Sequence, residues 1–164
     1  MHINILLPHK EKFTKANASS VSITVKNNFL KSAYQKNITI YGQFVDEPIF
    51  KNNFLDIKNS KNIFKNKNKN LALQMCKVIN KKNNNEKQII EVHNRPYLIN
   101  YINRLVKDKK IVLFLHNDPL VMKGSKKISE RKDLLSKVDK ICCVSNFIKK
   151  KFLDGLKDDG NKVD

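Results

Sequence analysis

Two stretches decide how this chain folds: Ile89-Ile90-Glu91-Val92-His93-Asn94-Arg95-Pro96 and Ile111-Val112-Leu113-Phe114-Leu115-His116-Asn117-Asp118-Pro119. Each is a short apolar run, rich in β-branched residues, too brief for a buried helix, and so reads as a strand. Each run ends in His-Asn, followed by a proline that stiffens the exit. A third run, Ile141-Cys142-Cys143-Val144, ends in Ser145-Asn146. In an open parallel sheet, ligands bind beyond the carboxyl ends of the strands, so polar residues at these exits are the first candidates for chemistry.

Outward from these runs, strands and helical patterns alternate. His2 to Leu7 reads as a first strand and Pro8 to Lys15 as a polar, solvated loop. Asn17 or Ser19 can cap a helix whose apolar side uses Val21, Val25, Phe29 and Ala33. Ile38 to Tyr41 reads as a second strand closed by Gly42, and Pro48 to Ile57 holds a weaker third one. The Lys/Asn-rich stretch Lys58 to Asn70 reads as a solvated loop. Leu71, Met75, Val78 and Ile79 recur at helical spacing, Pro96 suits the first turn of the next helix, and Ser129 to Val138 makes another. Ser145 or Asn146 caps the last, which Gly155 ends. The pattern predicts an α/β fold: a Rossmann-like parallel sheet with helices on both faces.

Composition narrows the function. The 164 residues carry a net charge of +18, almost all of it from lysine, with Arg95, Arg104 and Arg131 the only arginines. Abundant Lys, Asn and Ile reflect an AT-rich genome, and a residual affinity for anionic surfaces follows. Aromatic residues are 8% of the chain and do not interleave with the basic ones, which argues against a nucleic-acid partner, the alternative that the charge alone suggests. No apolar run is long enough to span a bilayer and the first residues lack a basic signal region, so a cytoplasmic protein is expected, peripheral at the inner face of the membrane at most. Cys76, Cys142 and Cys143 form neither a disulfide framework nor a zinc pattern, and no metal is expected. Walker, G-x-S-x-G and G-x-G-x-x-G motifs are absent, which removes most NTPase, hydrolase and nicotinamide readings.

The remaining candidates are the strand exits. His93 or His116 alone reads first as an ordinary turn histidine. Two His-Asn pairs at equivalent exits favour a site, in which imidazole and amide bond hydroxyls and Arg95 clamps a phosphate or carboxylate. For Ser145 the first reading is a helix cap, with ligand contact as a second role.

These exits, in this order and spacing, together with Ile141-Cys142-Cys143-Val144-Ser145-Asn146-Phe147-Ile148-Lys149-Lys150-Lys151-Phe152, resemble the second half of the N-terminal domain of family 4 glycosyltransferases. The likeness covers Ile89 to Leu153, under half of the chain. It implies one half of a GT-B fold: an acceptor-side domain over 1–156, a polar tail over 157–164, and a C-terminal donor-binding domain absent from the chain. It further implies transfer of a hexosyl group from a nucleotide-sugar to a glycan or lipid-linked cell-envelope acceptor, with no cofactor beyond that donor substrate. His116 would be the catalytic residue, and His93, Asn94, Arg95, Asn117, Asp118 and Ser145 would bind substrate. The partners implied are that acceptor and a separate chain carrying the donor domain. One departure concerns the first strand, whose exit in the family is glycine-rich. Pro8 to Lys15 contains no glycine, so close approach of backbone to phosphate is not expected there.

Overall fold

The computed structural model describes residues 1–57, 66–82, 86–156 and 160–164. Within these residues six strands form one all-parallel sheet: β1 (His2–Leu6), β2 (Ile38–Gly42), β3 (Phe54–Asp56), β4 (Gln88–His93), β5 (Lys109–Leu115) and β6 (Lys140–Cys143), in the order β3-β2-β1-β4-β5-β6. Among the described residues five α-helices connect or follow them: α1 (Ser20–Lys31), α2 (Lys67–Lys81), α3 (Ile99–Leu105), α4 (Ile128–Lys137) and α5 (Asn146–Leu153). The chain winds one way from β1 to β3 and the other way from β4 to β6, so the order reverses between β1 and β4. The predicted α/β class and parallel sheet are those observed. Among the described residues no helix is long and apolar enough to cross a membrane.

Period-two alternation splits the core in two. Ile5 and Leu7 of the first strand and its exit face α1, and with Ile38, Ile40 and Phe13 they bury Val21, Val25 and Phe29. Leu6, Ile90, Val92, Ile111, Leu113, Leu115 and Ile141 face the other way, against α2, α3, α4 and α5. Coverage is therefore unequal. Beyond the reversal, Ile89, Val112 and Phe114 point to the α1 side, are only half-buried, and belong to neither core cluster. On the fuller side a polar row crosses three strands. The Tyr41 hydroxyl donates to Asn4 Oδ1 at 3.1 Å, and Asn4 Nδ2 donates to Gln88 Oε1 at 2.9 Å. Each side chain of this row thus finds a partner, as a low-dielectric interior favours.

The structure corrects four expectations. Pro8 to Lys15 is not a solvated loop: Phe13 is fully buried and stacks on Phe54, and Glu11 is buried too. Ala33 lies past the end of α1 and is exposed. The Lys/Asn-rich stretch is partly helical, because Asn66 accepts from the Lys69 amide and starts α2 at Lys67; residues 58–65 lie outside the described residues. The polar tail ends on the sheet. Val163 is fully buried in a parallel bridge with Ile141, the Cys143 amide donates to the Asp164 carbonyl at 2.6 Å, and Lys162 reaches the Leu135 and Val138 carbonyls. One apolar residue among charges is enough, because it covers the otherwise open edge of β6.

Two devices set the loop after β5. Arg131 sends its guanidinium to the Ser125, Lys126 and Asp154 carbonyls, tying that loop to the end of α5. Gly124, at φ 88°, lies so close to Tyr97 that a Cβ would stand 2.6 Å from the Tyr97 nitrogen. Gly124→Ala should therefore cost at least about 2 kcal/mol, read as a lower urea midpoint with an unchanged m-value.

Candidate functional site

All six strands run parallel, so every exit reaches the same edge of the sheet. The reversal between β1 and β4 separates the loops that follow those two strands and leaves a crevice there. A cavity of about 220 Å³ occupies it. Pro8, Lys10 and Glu11 line it from the β1 exit, Ser19 to Val21 from the start of α1, and Asn94, Arg95 and Asn117 from the exits of β4 and β5.

Pairing of β4 with β5 sets His93 opposite Phe114, and the two rings stack with centroids 4.7 Å apart and planes 9° from parallel. His93 Nδ1 then lies 3.0 Å from His116 Nε2. Asn94 makes the junction rigid. At φ 51° it takes the left-handed conformation that asparagine tolerates. Its amide donates to the Phe114 carbonyl at 2.9 Å, and its Oδ1 accepts from the His116 amide at 2.8 Å. The two exits are thus bolted together by side chains that they themselves supply.

Burial, and next to it His93, pushes the His116 imidazole down to about 4. At neutral pH it is uncharged and able to accept a proton or a hydrogen bond. Arg95 donates to the Asn94 carbonyl at 2.7 Å and forms no ion pair among the described residues, so guanidinium donors remain for a ligand.

The start of α1 is the other potential anion site, because its first amides are unpaired by the helix itself. Glu11 already fills it. Its Oε1 accepts from the Ser22 hydroxyl at 2.5 Å, from the Ser22 amide at 3.3 Å and from the Ser19 hydroxyl. A phosphate would have to displace a buried carboxylate to bind there.

The predicted site residues thus divide. Asn94, Arg95 and Asn117 meet on the cavity, with His116 adjoining Asn117. His93 is placed beside His116 but is wholly buried, so it supports the imidazole in front of it and offers no surface to a substrate. Asp118 spends its Oδ1 on the Leu120 amide at 2.8 Å, capping a 3-10 turn, because Pro119 fixes the turn that follows. Ser145 caps α5 by accepting from the Ile148 amide and lies at the β6 exit, off the cavity. Glu91, Glu11 and Lys10 were missed. Glu91 could have been found, since on a strand it shares a face with His93 two residues later; for Glu11 no sequence signal existed.

Cys76, Cys142 and Cys143 are free thiols, and burial pushes Cys76 up to about 12. Among the described residues no group of three or more His, Cys, Asp or Glu could hold a metal. No protein-family model and no curated protein matches the chain.

The His116 shift has a consequence for stability. Its folded value lies below the ordinary 6.5, so the unfolded chain takes up the proton first as acid is added. Stability is therefore full above the unfolded value and falls as pH drops from about 6.5 toward 4. In urea titrations across that range, His116→Asn should flatten the fall; an identical slope in both chains would contradict the burial assigned to this ring.

Proposed function

We propose that this chain is the acceptor-binding half of a glycosyltransferase, one that moves a hexosyl group from a nucleotide-sugar to a glycan or lipid-linked cell-envelope acceptor. The observation that carries the reading is the neutral His116, held by His93 and Asn94 beside a cavity that Arg95 lines. A sugar hydroxyl needs a hydrogen-bond acceptor at the point of attack, and an uncharged imidazole is one near neutral pH. Arg95 and Lys10 supply positive charge for a phosphate in a lipid-linked acceptor.

Occupation of the α1 N-terminus by Glu11 favours the acceptor side over the donor side, since it leaves the donor diphosphate to be neutralised elsewhere. On this reading that task falls to a facing donor domain, on this polypeptide or another, and transfer requires it. The test is transfer of labelled hexose by the chain combined with such a domain. His116→Ala should lower kcat by roughly 100- to 10,000-fold, while Arg95→Gln should chiefly raise the KM for a phosphate-bearing acceptor. Undiminished transfer by His116→Ala would dispose of the catalytic assignment.

A second, compatible reading is docking on an anionic membrane surface. Val121, in the 3-10 turn after β5, and Phe147, at the start of α5, are large apolar side chains left 69% and 61% exposed on elements that pack together. Lys123, Lys126 and Lys150 are exposed on the same segments. Lysines near a charged bilayer contribute roughly 1 kcal/mol each, and the apolar pair would enter the interface. The chain should sediment with anionic vesicles and not with zwitterionic ones, and Val121→Ser with Phe147→Ser should abolish it; retention by that double variant would remove the patch from consideration.

A further inference from the structure

The His93–His116 contact has a third member. Glu91 and His93 stand two residues apart on β4, hence on one face of the sheet, and the Glu91 carboxylate lies 3.8 Å from His93 Nε2. That distance is too long for a hydrogen bond. His93 Nε2 is buried and has no other partner. The carboxylate is therefore the charge it feels most closely, and the side chain that carries it is 20% exposed.

We propose that Glu91 is a positioning residue: acting through His93, it fixes the tautomer of His116, so that this ring presents a bare Nδ1 to a ligand hydroxyl. A lone pair on His93 Nε2 would face a carboxylate inside the protein and be repelled by it, whereas an N–H there is attracted. A charged imidazolium would place a full charge on a ring with no exposed surface and no hydrogen bond to its counter-ion, which is costly. Neutral His93 thus carries its proton on Nε2. Its Nδ1 becomes the acceptor of the 3.0 Å contact, so His116 must donate from Nε2. A neutral imidazole has only one N–H, so His116 Nδ1 bears the lone pair. That nitrogen has no hydrogen-bond partner among the described residues.

The consequence is a choice of ligand chemistry. With the opposite pair of tautomers, His116 would offer an N–H and select a carbonyl, phosphate or other acceptor. In the arrangement proposed, it selects a donor, and the hydroxyl of an acceptor sugar is such a group. The identity of that hydroxyl rests on the sugar-transfer reading; the tautomers do not.

Long-range proton–nitrogen spectra of the histidine-labelled chain, recorded above pH 7 without any ligand, decide the matter. The expected result is that His93 and His116 are both protonated on Nε2 alone. In Glu91→Gln, which keeps the shape and removes the charge, the pair should shift to a mixture of both arrangements. His116 protonated on Nδ1, or a doubly protonated His93, in the wild-type chain would overturn the proposal. So would a Glu91→Gln spectrum indistinguishable from wild type, since Glu91 would then set nothing. Because no substrate is present, a failed transfer assay leaves these spectra untouched, and unexpected spectra leave the transfer assay to be judged on its own.

Discussion

The register in which β4 pairs with β5 is the constraint on which the site depends. With His93 opposite Phe114, the first imidazole is buried flat against a phenyl ring, and the residue after each strand lands where Asn94 can bond the His116 amide. A slip of one residue would send His93 to the opposite face, into the apolar cluster of Ile90 and Val92, and would bring Glu91 round with it. That register is enforced by the other face. Ile90 opposite Ile111 and Val92 opposite Leu113 are buried pairs whose misplacement would expose large apolar side chains. The chemistry of one face is thus held in place by the hydrophobic packing of the other.

The same edge shows a competition between the chain and its ligands. Sheets of this topology offer two attractions at the reversal point: the open crevice and the positive end of the first helix. Here the second is already used. Glu11, positioned by a tight turn in which its amide donates to the Pro8 carbonyl, satisfies Ser22 and Ser19 at the head of α1. What remains for a ligand is side-chain chemistry: the Arg95 guanidinium, the Lys10 ammonium and the Asn94 and Asn117 amides on the crevice, with the neutral His116 imidazole next to Asn117. Such a set suits hydroxyls and a single anionic group better than it suits a chain of phosphates, which would need several backbone amides at once.

Much of this was legible in the sequence, and the reasons differ by element. The strands that bury one face completely announce themselves, because alternation and β-branched runs are dictated by the sheet itself; all six were read, the weakest being the edge strand β3. The equivalence of the His93 and His116 exits was visible because parallel strands turn a sequence pattern into a spatial one. What escaped notice depends on pairings between residues distant in the chain. Val163 was lost in a polar segment because its partner, Ile141, belongs to another element. Phe13 and Glu11 looked like parts of a solvated loop because the aromatic cluster and the helix end that receive them are assembled only by folding. Asp118, a substrate ligand by the resemblance, also begins an Asp-Pro turn, and its Oδ1 accepts from the Leu120 amide.

The uneven covering of the sheet ties these threads together. On the α1 side, the outer half of the sheet presents Ile89, Val112 and Phe114, half-buried, beside Glu91. The ring of Phe114 and the carboxylate of Glu91 therefore belong at once to an open apolar face and to the support of His116. Water at that face weakens the field of Glu91 on His93, since attraction between charges and dipoles scales inversely with the local dielectric. Whatever excludes water from the face strengthens it. The hold on His116 is consequently not a property of three residues alone: it varies with the solvation of the sheet face that Glu91 shares with Ile89, Val112 and Phe114.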